Sequence, residues 1–337
     1  MIKDGVSDSA LAIPTSPGRE TLVVLSQEPL PYFSRLRQVW ASENLSVGNS
    51  VEALQSAASN ATVILNWSGS RDLLRKVFLQ SPNLRWIHSR SVGLERSLFQ
   101  EIMGSTIVLT NGRGVFSPSL GEFAVAAILY FAKDLRRMVR SQANGVWDPF
   151  DVQLASGHTV GIVGYGDIGR QVATRVRALG MKVVAVKRHV TCDTDGEAGR
   201  IYSSDSLLEM LSLCDYVVVA VPLTQDTKGM IGERELNAMR NNAVVINLGR
   251  GPVIHEEALV RALTTHRIKG AALDVFDREP LPALHPFYTL ENVLLSPHCA
   301  DHIPGWLDDA MLLFLEQLER YRNGQPLLNV VDKVLGY

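Results

Sequence analysis

Three side chains able to grip an acid group and move a proton each stand at the end of an apolar run. Arg250 lies in Asn247-Leu248-Gly249-Arg250-Gly251, Glu279 in the segment from Asp274 to Pro280, and His298 closes Leu294-Leu295-Ser296-Pro297-His298. A guanidinium presents a planar fork that matches a carboxylate. A histidine, with an ordinary pKa of about 6.5, exchanges a proton near neutral pH. A glutamate can hold the far ring nitrogen and orient the imidazole. Singly, each has a plainer reading as a strand end, a loop carboxylate or a surface cation. Their order along the chain, downstream of a glycine loop, favours the joint chemical reading.

That loop is Gly164-Tyr165-Gly166-Asp167-Ile168-Gly169. A lone GxGxxG is weak, but this one follows the apolar run 159–163 and opens an amphipathic stretch, within the roughly 30 residues of a βαβ unit. Gly164 permits the tight turn, Gly166 lets the backbone approach a pyrophosphate, and Gly169 lets helix and strand pack closely. Unbonded N–H groups of Asp167 and Ile168 at the helix start would meet the phosphate charge. With a dinucleotide in place, the downstream trio reads as hydride-transfer chemistry. The end of the next strand should tell which dinucleotide: NAD sites usually carry a carboxylate about 20 residues past the loop. Here that position holds Lys187, then Arg188 and His189, with no acid before Asp193. Two cations suit a 2′-phosphate, which points to NADP(H) as preferred and NAD(H) as possible.

The elements that must position these groups alternate. Strands are predicted at 21–25, 61–66, 84–88 and 107–110, with helices at 33–40 and 71–79 between them. A single long helix is predicted over 119–138. A second series follows: strands at 159–163, 182–186, 216–221, 243–247, 270–273 and 293–295, with helices at 168–179, 206–212 and 256–264, and a last helix at 306–322. Short strands alternating with helices predict an α/β fold with doubly wound parallel sheets.

Composition bounds the remaining possibilities. The chain has 337 residues, 46% hydrophobic and 20% charged, which suggests roughly two domains of ordinary globular character. A formal net charge of −2 carries no signal for nucleic acid. The longest apolar run, 123–132, falls far short of the ~20 residues that span a bilayer, so no membrane partner is expected. Cys192, Cys214 and Cys299 show no metal-like spacing, and no metal is expected. Residues 1–20 lack the features of a signal or transit peptide and read as a mobile tail, with a cytoplasmic location as the default.

The motifs TVGIVGYGDIGRQVA, VPLTQDTKGMI, VVINLGRGPVIHEEALVRAL, GAALDVFDREPLP and LLSPHCA resemble, in order, those of the D-isomer-specific 2-hydroxyacid dehydrogenase family. The likeness runs from about residue 21 to 337. The segment SPSLGEFAVAAIL and the ending NVVDKVLGY are most similar to glyoxylate/hydroxypyruvate reductases.

The resemblance implies two Rossmann-like domains, a cofactor domain of 113–299 inserted in a discontinuous substrate domain of 21–112 and 300–337. It places the family's catalytic arginine, glutamate and histidine on Arg250, Glu279 and His298. Its nicotinamide-side aspartate falls on Asp274, and Pro222, Thr227 and Leu248 join the cofactor-binding positions. The carboxylate-binding loop falls on 91–94, where the backbone of Val92 and Gly93 would hold the acid group. Trp67, at the end of its strand, is a candidate pocket wall or a core side chain. The implied reaction is reduction of a small 2-oxo acid to the 2-hydroxy acid, D where chiral, with His298 as proton donor and a homodimer as the assembly.

Two departures bear on this. Lys187 stands where NAD-preferring relatives have aspartate, and Asp301-His302 follows His298 in place of the common small residues. Rival readings are a reductase of bulkier keto acids such as hydroxyphenylpyruvate, since RSVGLE is similar to loops in those relatives, and a dinucleotide-sensing corepressor.

Overall fold

A computed structural model describes residues 20–40 and 44–337. The tail expected over 1–20 lies, apart from Glu20, outside the described residues. In chain order the strands are β1 (Leu22–Leu25), β2 (Leu45–Gly48), β3 (Val63–Asn66), β4 (Trp86–Ser89), β5 (Val108–Asn111), β6 (Thr159–Val163), β7 (Lys182–Val186), β8 (Arg200–Tyr202), β9 (Tyr216–Val219), β10 (Val244–Asn247), β11 (Gly270–Leu273) and β12 (Val293–Leu295). The helices are α1 (Ser34–Val39), α2 (Val51–Ala58), α3 (Arg71–Leu79), α4 (Gln100–Met103), α5 (Ser117–Ala132), α6 (Leu135–Ala143), α7 (Asp167–Ala178), α8 (Leu207–Leu213), α9 (Glu233–Ala238), α10 (Glu256–Thr264) and α11 (Trp306–Arg322).

The chain divides into two compact units, one running up to Val115 and resuming at Gly305–Tyr337, the other Phe116–Pro304. The first holds a five-stranded sheet in the order β2-β1-β3-β4-β5, the second a seven-stranded sheet in the order β12-β11-β10-β9-β6-β7-β8. Every strand pair in both is parallel. Parallel strands covered by helices on both faces need continuous apolar runs rather than alternation. Val217, Val218 and Val219 of β9 accordingly have no exposed surface. Burying each such side chain contributes about 1.5–3 kcal/mol. The first unit has one core on each face of its sheet: Trp86, Phe314 and Tyr321 on one, Leu54, Leu74 and Ile87 on the other.

Several expected elements are corrected. The helix expected over 119–138 is two helices, because Asp134 adopts a left-handed φ of 48° and its carboxylate caps α6 by accepting the Arg137 N–H. The break separates a half-buried helix from one with no buried residue. The strand expected over 216–221 ends at Val219, where the chain turns toward Pro222. The expected helix at 33–40 narrows to α1 behind a 3-10 turn. Elements β2, α2, α4, β8 and α9 were not expected. They are three to eight residues long, and take their conformation from the sheet or core they complete rather than from local periodicity. Among the described residues, no helix is long and apolar enough to cross a membrane.

Candidate active site

The second unit's strand order changes sense between β6 and β9, the chain adding β7 and β8 on one side and β9 to β12 on the other, so the carboxyl ends of these two parallel strands form a topological switch point, where doubly wound sheets bind ligands. The glycine loop leaves β6 there. Gly164 has φ +99°, and a Cβ on it would lie 2.7 Å from Val221 and 2.8 Å from the Ala220 carbonyl, so only glycine fits. Gly169 packs equally tightly, its missing Cβ falling 2.4 Å from the Gly164 carbonyl oxygen. Gly166 differs: a Cβ there would meet nothing within 4 Å, leaving the approach to the start of α7 open. Helix α7 opens with Asp167, Ile168 and Gly169, whose N–H groups precede the first intrahelical partners. Open backbone beside a 12-residue helix N-terminus fits a pyrophosphate.

Two polar anchors of this loop escaped sequence reading. The Tyr165 hydroxyl donates to Asp195 at 3.0 Å, and Asp195 also accepts the N–H groups of Glu197 and Ala198 and pairs with Arg170 at 2.9 Å. Burial, reinforced by that bond, pushes the Tyr165 phenol well above its ordinary range. Asp167 accepts a hydrogen bond from Ser117 at the start of α5. Next to the loop, Lys187 and Arg188 follow β7 and are half-buried; Arg188 pairs with Asp226 at 2.6 Å. Thr227 donates to the Pro222 carbonyl at 2.6 Å and accepts from the Thr224 N–H, tying its own loop together. Leu248 is buried, its N–H bonded to the Val219 carbonyl.

The trio's loops converge in the same unit. Arg250 follows β10 and its guanidinium donates to the Gly249 carbonyl at 2.8 Å. The next residue decides the geometry: a Cβ on Gly251 would sit 1.9 Å from the carbonyl carbon of Phe276. The arginine's loop is therefore pressed directly onto the backbone of the Glu279 segment. Glu279 accepts the Phe276 N–H at 3.0 Å with one oxygen and the His298 Nδ1–H at 2.7 Å with the other. Nδ1 being the donor to a carboxylate, Nε2 is the ring nitrogen left for chemistry. Both side chains remain accessible, 40% and 37% exposed for histidine and glutamate.

His298 has a positive φ of 52°, a conformation uncommon for a non-glycine residue and typical of strained functional positions. Asp274 holds the turn. Buried at the end of β11, its Oδ1 accepts the Ser296 hydroxyl at 2.5 Å and the N–H groups of Cys299 and Ala300 at 3.0 and 3.1 Å. Sequence reading singled out Asp274 but missed this work and missed Ser296; a buried carboxylate one strand away from a Ser-Pro-His turn is the only trace it leaves. Asp301 faces His302 at 3.6 Å, and burial raises its carboxyl above the usual range.

Residues 125–300 match the description D-isomer specific 2-hydroxyacid dehydrogenase, NAD binding domain. The chain belongs to this dehydrogenase family. A glyoxylate reductase of Korarchaeum cryptofilum is 33% identical over 267 residues, 77% of this chain and 79% of that one. A D-3-phosphoglycerate dehydrogenase of Methanocaldococcus jannaschii is 29% identical, covering 86% of this chain and 55% of the relative. Among solved structures, a D-isomer specific 2-hydroxyacid dehydrogenase of Xanthobacter autotrophicus in complex with NADPH and MES superimposes with a TM-score of 0.81 at 26% identity, over 95% of this chain and 100% of that one. As a member of the D-2-hydroxyacid dehydrogenase family, the chain is an oxidoreductase with a Rossmann domain for a nicotinamide dinucleotide.

The remaining expected positions of this dehydrogenase lie in its first unit. Val92 and Gly93 are half-buried just past β4; the Val92 carbonyl accepts the Asn111 side-chain amide at 3.0 Å and the Ser91 carbonyl accepts the Gly112 N–H. Trp67 is 2% exposed and edge-on to Phe33 at 5.8 Å, a core side chain of that unit.

Proposed function

We propose that this chain is an NADPH-dependent reductase of small 2-oxo acids of the glyoxylate/hydroxypyruvate type, forming the 2-hydroxy acid, D where the product is chiral. The observation that carries the reading is the His298–Glu279 pair at 2.7 Å, with the Arg250 loop pressed against the loop that bears Glu279. The likeness to glyoxylate reductases supports the substrate class.

Bound NADPH supplies the hydride that the keto carbon receives. His298 donates the proton from Nε2 to the carbonyl oxygen as it gains charge, while Glu279 holds Nδ1 and thereby the plane of the ring. Arg250 grips the substrate carboxylate or carbonyl oxygen, and losing such a donor costs roughly 2.7–4 kcal/mol of barrier. Val92 and Gly93 offer backbone N–H groups to the acid. Gly164, Gly166, Asp167, Ile168 and Gly169 cradle the pyrophosphate, with Pro222, Thr227 and Leu248 shaping the cofactor's bed and Asp274 serving its nicotinamide end. Lys187 and Arg188 favour the 2′-phosphate, consistent with the family structure that holds NADPH. Three unpaired thiols suit a reducing, cytoplasmic setting. A homodimer is supported by the family resemblance and by apolar side chains left open on α6 and after it, Val139, Leu154 and the 94%-exposed Trp147 among them.

The test is an assay of the purified protein with NADPH and with NADH over glyoxylate, hydroxypyruvate, pyruvate and hydroxyphenylpyruvate. Fastest turnover of the first two with NADPH is expected. A preference for hydroxyphenylpyruvate would favour the bulkier-substrate reading, and no turnover at all would favour a sensor of the dinucleotide.

A further inference from the structure

Arg90 is a cation that the first unit has built around, with no counter-ion beside it among the described residues. It follows the last residue of β4, and Trp67 follows the last residue of the neighbouring β3. Both therefore stand at the carboxyl edge of a parallel sheet, where such sheets receive ligands. The Arg90 guanidinium carbon lies 5.1 Å from the Trp67 ring centroid and 5.1 Å from that of Trp306, the first residue of α11. Stacking on indole faces attracts and orients a guanidinium without using its N–H donors, which lie in its plane. Among the described residues, no carboxylate pairs with Arg90 and no side-chain hydrogen bond engages it. Burial draws its pKa below the ordinary range, with Tyr32 opposing. A half-buried, pre-oriented fork without an anion is costly to keep unless an anion arrives.

We propose that Arg90 is a substrate-selecting residue that binds a second anionic group, extending the substrate class to 2-oxo acids with a carboxylate or phosphate on the tail. This rests on the reductase reading above. There, Arg250 and the backbone of Val92 and Gly93 already serve the first carboxylate, so an added cation calls for an added anion. Trp67 and Trp306 are positioning residues: their rings hold the guanidinium in place without spending its N–H donors, which stay available to grip an anion bidentately. A glyoxylate-sized substrate has no group for Arg90 to hold. A four- or five-carbon 2-oxo dicarboxylate, or a phosphorylated three-carbon 2-oxo acid, has one.

The experiment uses the full chain and two variants, Arg90→Met and Arg90→Lys. Methionine keeps the apolar stem over the two rings, and lysine keeps the charge without the fork. Turnover is measured with glyoxylate, 2-oxosuccinate, 2-oxoglutarate and 3-phosphohydroxypyruvate. In parallel, tryptophan fluorescence is followed during titration with succinate, with inorganic phosphate and with acetate.

In the wild type, succinate or phosphate should perturb the fluorescence at concentrations where acetate does not. Arg90→Met should abolish that response and lower the kcat/KM ratio of the dianionic substrate over glyoxylate by about ten- to a hundredfold, the loss expected for a hydrogen-bonded charge. Arg90→Lys should recover part of the ratio. A larger effect with 2-oxosuccinate identifies the carboxylate, and a larger effect with 3-phosphohydroxypyruvate the phosphate. An unchanged ratio in Arg90→Met, or equal losses for all substrates, overturns the proposal. If no 2-oxo acid is reduced but the Arg90-dependent response to succinate or phosphate persists, the anion site stands and the reductase reading falls.

Discussion

His298 donates from Nδ1 to Glu279 Oε2 at 2.7 Å, while the other oxygen of the same carboxylate accepts the Phe276 N–H at 3.0 Å. Glu279 is thereby fixed by its own loop before it fixes the ring. His298→Asn should reduce kcat by about 10²- to 10⁴-fold, the range of a lost general acid. Nucleotide affinity, read by quenching of NADPH fluorescence, should not change. Glu279→Gln should cost less, about tenfold or more, and alter the pH profile of kcat/KM. Retention of most turnover in His298→Asn would remove the proton-donor role.

Gly251→Ala is expected to be severely disruptive although it adds one methyl group. Its Cβ would lie 1.9 Å from a backbone carbon of Phe276, which no side-chain rotation relieves. The Arg250 and Glu279 loops must part to admit it, at a cost of about 1–3 kcal/mol or more. Urea unfolding together with kcat measures both consequences; a variant with native stability and activity would refute the close packing.

Arg188 pairs with Asp226 across the mouth of the glycine loop, one residue lying beyond β7 and the other beyond β9, with β6 between those strands. A 2′-phosphate held by Arg188 would have to displace that carboxylate. The pair is exposed on the aspartate side and worth little, about 0–1 kcal/mol. Arg188→Ala should therefore lower the NADPH/NADH ratio of kcat/KM about tenfold or more, and Asp226→Asn should raise it a few-fold. Equal or better rates with NADH in the wild type would dispose of the assignment to Lys187 and Arg188.

His88, a residue of β4, is buried with its ring 5.3 Å from that of Phe314 and its Nδ1 2.8 Å from the Thr110 hydroxyl, and burial lowers its pKa to about 3. Between about 3 and the ordinary 6.5 the unfolded chain binds the proton that the folded chain refuses. This contribution to stability is complete above about pH 6.5 and declines as pH falls below it, by at most about 1.4 kcal/mol per pH unit. Urea midpoints at pH 7.5, 6 and 5 should fall in that order. His88→Gln should be less stable at neutral pH but have a flatter pH dependence.

Cys214 is fully buried and burial pushes its thiol up to about 12, whereas Cys192 and Cys299 are exposed. Iodoacetamide at pH 8 should label the latter two and spare Cys214 until the chain is unfolded. Mass spectrometry of the labelled native protein reads this directly.

The chemistry of this protein is written locally. The glycine loop and the apolar run 216–221 each carry their meaning within a few residues, because a strand buried on both faces and a helix opening on a phosphate impose residue types one position at a time. That is why the parallel α/β architecture was legible without coordinates, and why Arg250, Glu279 and His298 could be singled out as candidates. Short elements such as β2 and α9 were not, since their conformation is imposed by neighbours distant in the chain.

Other features exist only in three dimensions. No spacing reveals that Gly251 yields its side chain to Phe276, that Asp274 holds the turn of His298 through Ser296, Cys299 and Ala300, or that Arg90 stacks on tryptophans from positions 67 and 306. Each depends on which strand ends a parallel sheet brings side by side, and the crossovers that set that order separate partners by tens or hundreds of residues. Residue type decided which chemistry was available; strand order and close backbone packing decided which atoms meet.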